Sequence, residues 1–213
     1  MDILLNDLIR RYPGIVDLKE DVRTTYEIIL ESLKKGGTVF TCGNGGSASD
    51  SEHIAGELLK GFILKRELKD ELKKEFSDKF GEDGFKLASK LQYGLRAISL
   101  TSHPAFITAF ANDVDANLIF AQQLFGLGRK GDVLIAISTS GNSANIYNCI
   151  LTASIMGVKT VLLTGKSGGR CCALADVALK IPETEAYKIQ EYHLPIYHTL
   201  CLMIEDYFYG KRS

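Results

Sequence analysis

Two hydrophobic rhythms alternate along this chain. Five short runs are apolar almost without interruption, about Thr38–Cys42, Leu95–Leu100, Asp132–Ser138, Lys159–Thr164 and Val177–Ile181, and are rich in Val, Ile, Leu and Thr. Before, between and after them lie segments with apolar residues at helical spacing: Val16–Lys35, Ala48–Phe62, Ala144–Met156 and Lys188–Tyr209. Continuously apolar strands alternating with helices predict a parallel sheet covered on both faces. Gly36-Gly37 and Gly157 stand where helix C-caps belong. The expected fold is α/β, a three-layer sandwich whose five-stranded parallel sheet has the flavodoxin-like order, with extra helices at the N- and C-terminal ends. In such a sheet strands one and three are neighbours at the point where strand order reverses, which is where ligands bind.

The stretch Lys65–Tyr93 departs from this rhythm. It reads KRELKDELKKEFSDKFGEDGFKLASKLQY, with Leu68, Leu72 and Phe76 spaced by four. That pattern predicts a solvated amphipathic helix rather than a mobile flap, broken at Gly81 and Gly84 and then resumed. It forms an insertion at about 65–93 within a single domain spanning 1–213.

Composition narrows the class. The 213 residues are 46% hydrophobic and 24% charged, as in an ordinary soluble globular protein. A formal net charge of −1 and a pI near 6.4 give no electrostatic case for nucleic acid or an anionic membrane surface. No apolar run is long enough to span a bilayer, and Met1-Asp2 opens no secretory signal. Five cysteines without a disulfide-like framework fit a reducing cytoplasm, and vicinal Cys171-Cys172 reads as two small residues in a helical turn.

The candidate chemistry sits in two glycine- and serine-rich loops, TCGNGGSAS from Thr41 to Ser49 and ISTSGNSAN from Ile137 to Asn145. Each follows a strand and precedes a helix, an arrangement that aims free N–H groups and a helix dipole at an anion. Ser47, Ser138, Thr139, Ser140 and Ser143 add hydroxyl donors, and neither loop contains a lysine. Gly43 to Ala48 also matches G-x-G-x-x-A, but the next strand ends in Ser99-Leu100-Thr101-Ser102, without the carboxylate a dinucleotide ribose needs. The Gly-Lys-Ser/Thr of a nucleotide-binding P-loop is absent, and Ile137-Ser138-Thr139-Ser140-Gly141 lacks the first glycine of a hydrolase elbow. Two loops of one design point to one phosphate-bearing ligand gripped twice.

CGNGGSASDSEH, ISTSGNSAN, LTGKSGG and KIQEYHLPIYH, in this order, resemble the motif set of the SIS (sugar isomerase) domain family, and more narrowly its bacterial phosphoheptose isomerase branch. The resemblance implies an aldose–ketose isomerase that converts sedoheptulose 7-phosphate to D-glycero-D-manno-heptose 7-phosphate through an enediol. It also implies a homotetramer with active sites built partly from neighbouring subunits. The alternative within the same family is a phosphosugar-binding regulator or assembly protein without catalysis.

Such an isomerase needs a base near a C–H bond and an acid or metal at the adjacent oxygen. His53 and Glu57 are four apart and share a helix face, and Gln190, Glu191, Leu194 and His198 fall within roughly 100° of helical arc. The resemblance assigns Glu57 and His198 to acid–base catalysis and His53, Glu57, Gln190 and His198 to a zinc ion found in some members. It assigns Ser47, Ser138, Thr139, Ser140 and Ser143, with Gly45 and Gly46, to the phosphate cradle. Asn44, Asp113 and Gln190 match sugar contacts. His103 and His193 read as structural histidines, Tyr187, Tyr192 and Tyr197 as packing residues, and Pro195 as a kink in the last helix. Two departures stand at the sugar end: the arginine usual after the first motif's glutamate is missing, with Lys60 nearby, and Tyr187 replaces an aspartate.

Overall fold

The computed structural model describes residues 1–210. Its sheet comprises β1 (Val39–Cys42), β2 (Ala97–Ser99), β3 (Val133–Ser138), β4 (Lys159–Thr164) and β5 (Val177–Lys180). All pairings are parallel and the order is β2-β1-β3-β4-β5. Every expected strand is present, in the flavodoxin-like order. Alternate residues serve opposite faces. Val133, Ile135 and Ile137 of β3 join one core, while Leu134 and Ala136 join the other. Two-sided burial is the reason these strands read as unbroken apolar runs rather than as alternating ones.

The first core is roofed by α1 (Asp2–Arg11), α2 (Lys19–Lys34), α3 (Gly46–Leu59) and α8 (Ala186–Tyr209). The second lies under α5 (Pro104–Phe110), α6 (Ile119–Leu127) and α7 (Ala144–Met156). Boundaries shift where local chemistry overrides periodicity. The expected helix from Val16 begins as a 3₁₀ turn, Pro13–Leu18, and becomes α2 only at Lys19. The expected Ala48–Phe62 helix runs Gly46–Leu59, because Lys60 is extended at φ −133° and ψ 173°. Gly157 closes α7 in the left-handed conformation, as the sequence requires.

The charged insertion is helical over α4 (Asp70–Ala88) but is broken at Gly81 (φ 59°, ψ −133°) into two segments, as the sequence predicts. Gly84 does not break it. A Cβ there would lie 2.0 Å from the Phe76 carbonyl, so the glycine is needed for close passage across the kink. The base of the insertion is fastened by an antiparallel bridge between Glu67 and Gln92 and by the Tyr93 N–H donating to the Arg66 carbonyl at 2.7 Å. α8 continues through Pro195 as a single helix. Among the described residues, no helix is long and apolar enough to cross a membrane.

Candidate active site

β1 and β3 are adjacent, so the loops that leave their carboxyl ends open side by side. Cross-loop hydrogen bonds join them: Asn44 Nδ2 donates to Asn145 Oδ1 and Asn145 Nδ2 donates to Asn44 Oδ1, both at 2.9 Å. The first loop folds back tightly, with Gly45 at φ 56° and ψ −122°, a conformation available to glycine alone. Ser47 is buried directly behind the turn, and its N–H donates to the Asn44 carbonyl at 3.0 Å. In the second loop Ser138 and Ser143 bring their hydroxyls to 3.2 Å, and Ser140 Oγ accepts from the Asn142 N–H. Thr139 accepts the Gly165 N–H through its carbonyl. Ser143 begins α7 without capping it through its side chain, which keeps its hydroxyl available to a ligand.

A third loop, from the LTGKSGG motif, braces the second. Gly168 and Gly141 touch so closely that a Cβ on Gly141 would lie 1.9 Å from the Gly168 carbonyl. The Cys171 N–H donates to the Gly141 carbonyl at 3.0 Å. Those glycines shape the cradle from behind.

The acid–base candidates meet between α3 and α8. His53 Nε2 lies 3.2 Å from Glu57 Oε1 and 3.5 Å from His198 Nε2. Glu57 is buried to 9% exposure, and its second oxygen accepts from Lys60 Nζ at 2.8 Å. Lys60 therefore engages the carboxylate itself, as a point charge. His198 has its ring against Phe62, with centroids 5.4 Å apart. Burial, and then the neighbouring His53, hold its pKa below the usual imidazole value.

Behind His53 lies a pair of which the sequence marked only Tyr197, and that as packing. Tyr197 Oη donates to Asp50 Oδ1 at 3.1 Å and stands 3.0 Å from His53 Nδ1. The Tyr197 hydroxyl thus holds one edge of the His53 ring, and the opposite edge, Nε2, faces Glu57 and His198. Burial raises both the Asp50 carboxyl and the Tyr197 hydroxyl. Tyr197 reads as packing in the sequence, and it is buried, but its hydroxyl orients a site histidine. Asp50 stands one helical turn before His53, the one spacing signal that could have found it.

The remaining predicted residues are split. Gln190 reaches the cradle: a Cβ on Gly46 would lie 2.7 Å from Gln190 Nε2. Asp113 is exposed on the π turn Ala111–Asp115 and bonds to its own neighbour Asn112. His193 is fully buried, as a structural histidine would be. The donor chemistry of His53, Glu57 and His198 suits a divalent transition metal. Yet they are hydrogen-bonded to one another, Gln190 lies over Gly46, and among the described residues no group of three or more His, Cys, Asp or Glu is arranged to hold a metal ion. In this conformation the three side chains meet one another directly.

A model of the SIS domain matches residues 9–75 and 80–165. The chain belongs to the SIS domain family. Within that family it is 38% identical over 198 residues to a phosphoheptose isomerase of Helicobacter pylori (strain P12), covering 93% of this chain and 90% of that protein. A phosphoheptose isomerase of Akkermansia muciniphila is 33% identical over 199 residues, covering 93% and 92%. The solved phosphoheptose isomerase of Neisseria gonorrhoeae superposes with a TM-score of 0.74 at 31% identity, covering 94% of each chain.

Proposed function

We propose that this protein is an aldose–ketose isomerase that converts sedoheptulose 7-phosphate to D-glycero-D-manno-heptose 7-phosphate. The observation that carries the reading is the union of the two loops through Asn44 and Asn145 beside the His53, Glu57 and His198 cluster. The phosphate is the handle. It sits on the N–H groups at the starts of α3 and α7 and on the hydroxyls of Ser47, Ser138, Thr139, Ser140 and Ser143. Asn44 and Gln190 contact the sugar.

The chemistry is two pairs of coupled proton transfers. The Glu57 carboxylate takes the proton from C1 while His198 delivers one to the carbonyl oxygen at C2, giving the 1,2-enediol. A proton then leaves the oxygen on C1 and another is returned to C2, which makes C1 the aldehyde. Lys60 keeps the carboxylate in place and compensates its charge. Zinc, with His53, Glu57, Gln190 and His198 as ligands, belongs to the proposal as a group that would replace their direct hydrogen bonds. When bound it would polarise the carbonyl as a Lewis acid. No proton transfer above is routed through it.

Assembly is part of the same reading. Val114, Phe125 and Leu127 are exposed at 62%, 66% and 47%, large apolar side chains that subunit contact in a homotetramer would cover. Asp113, next to Val114, would then serve a neighbouring subunit's site. Five free cysteines accord with a cytoplasmic location.

The test is incubation of the purified protein with sedoheptulose 7-phosphate in D₂O, with and without added zinc, followed by NMR of the product. Aldose carrying deuterium at C2 is expected. Glu57→Gln and His198→Ala should each lower kcat by about 10²- to 10⁴-fold. Ligand-induced thermal stabilisation without turnover would favour the regulator instead.

A further inference from the structure

The charged stretch after α3 conceals an ion pair with no access to solvent. The Arg66 and Glu205 side chains are both 0% exposed and meet at 2.9 Å. Glu205 lies on α8, seven residues beyond His198, and Arg66 lies nine beyond Glu57. The pair is fully bonded. Arg66 Nε donates to Glu205 Oε1 at 2.9 Å, Nη1 donates to the Leu58 carbonyl at 2.7 Å, and Nη2 donates to the Glu57 carbonyl at 3.3 Å. The Tyr209 ring covers the guanidinium at 4.8 Å. Glu205 accepts three successive N–H groups, from Phe62 at 2.7 Å, Ile63 at 2.9 Å and Leu64 at 3.0 Å.

These bonds have an unusual set of destinations. They cap the carbonyls that α3 leaves open at Glu57 and Leu58, and they fix the backbone of the strap 60–66 to the helix that carries His198. That strap sends one side chain to each member of the acid–base pair: Lys60 Nζ to Glu57 Oε2, and the Phe62 ring to His198. A burial this complete is costly for two charges unless geometry compensates, and hydrophobic replacements often serve stability as well. Stability alone therefore does not account for it.

We propose that Arg66 and Glu205 are positioning residues for the isomerisation, holding the strap so that Lys60 and Phe62 set the geometry of Glu57 and His198. This inference rests on the isomerase reading above. Neither residue touches substrate. They act on the reacting geometry through Glu57, Lys60 and Phe62, where displacements of about 1 Å can cost about 10²-fold in rate.

Three variants test it: Arg66→Lys, which keeps the charge but loses the fork; the double variant R66M/E205L, which removes both charges together; and Phe62→Leu, which leaves the buried pair intact. Each is compared with wild type for kcat and KM on sedoheptulose 7-phosphate, for thermal unfolding, and for the His198 ring signals by NMR. The expected result is a fall in kcat of about tenfold or more per folded molecule, with KM changed by less than about threefold because the cradle is untouched. The His198 ring signals should move in all three. Wild-type kcat and unmoved His198 signals in folded Phe62→Leu would overturn the proposal. So would a kcat in the other two that falls only with the folded fraction. Should wild type itself fail to turn over, the isomerase reading fails separately, and the His198 signals still report whether the strap positions that ring.

Discussion

Asn44 and Asn145, 101 residues apart in sequence, present their side-chain amides to each other so that each both donates and accepts at 2.9 Å. The pair fixes the spacing between two loops that the sheet merely brings near. Asn145 Oδ1 also accepts from the Ile146 N–H at 2.9 Å, so the link reaches the first turn of α7. Each loop thereby holds the other in place.

Asn44→Ala and Asn145→Ala should each raise KM for the phosphosugar several-fold. The double variant should be little worse than either, since residues of one hydrogen-bonded unit are not additive. A double-mutant cycle on KM and on phosphate-induced thermal stabilisation checks this. Additive losses would mean the two amides act independently.

Tyr197→Phe keeps the packing of a residue buried to 2% exposure but removes the hydroxyl between Asp50 and His53. The expected cost is about 1–2 kcal/mol in stability. Alongside it, kcat should fall about tenfold or more as His53 loses the hydroxyl that orients its ring. Steady-state kinetics with urea unfolding separate the two effects.

Gly45→Ala forces a Cβ into φ 56°, ψ −122° at the loop tip. Although open space surrounds that Cβ, the backbone strain should cost about 1–3 kcal/mol. Phosphate-induced stabilisation should fall with it, read by thermal shift with and without ligand.

His193 gives the protein an acid-sensitive core. Burial, opposed in part by the Thr164 backbone, lowers its pKa from 6.5 to about 4. The folded state thus binds this proton less readily than the unfolded chain, and stability rises with pH across the interval. The contribution is complete above pH 6.5 and is lost progressively as pH falls toward about 4, at most about 3 kcal/mol. Urea midpoints at pH 7 and pH 4.5 should differ more in wild type than in His193→Gln.

Much of this molecule is legible in its sequence. Two-sided burial writes itself as continuous apolar runs, so β1 to β5 and their parallel pairing could be read directly. The left-handed caps and loop turns demand glycine, which marked Gly45 and Gly157. His53 and Glu57 share a helix face, so their proximity followed from spacing. Arg66 could not be found this way. It sits among lysines and glutamates that are solvated, and nothing local distinguishes a guanidinium whose partner lies 139 residues away. Tyr197 likewise shares its apolar helix face with ordinary core residues.

What the sequence alone determined was the set of local conformations, the order of the layers and the strand, glycine turn, helix form of two loops, because these depend on periodicity and backbone chemistry within a few residues. Only the tertiary structure decided which groups meet: Asn44 with Asn145, His53 with His198 and Tyr197, Arg66 with Glu205. Each of those contacts is a distance between elements far apart along the chain: the adjacency of β1 and β3 sets the first, and the packing of α3 and α8 on one sheet face sets the others.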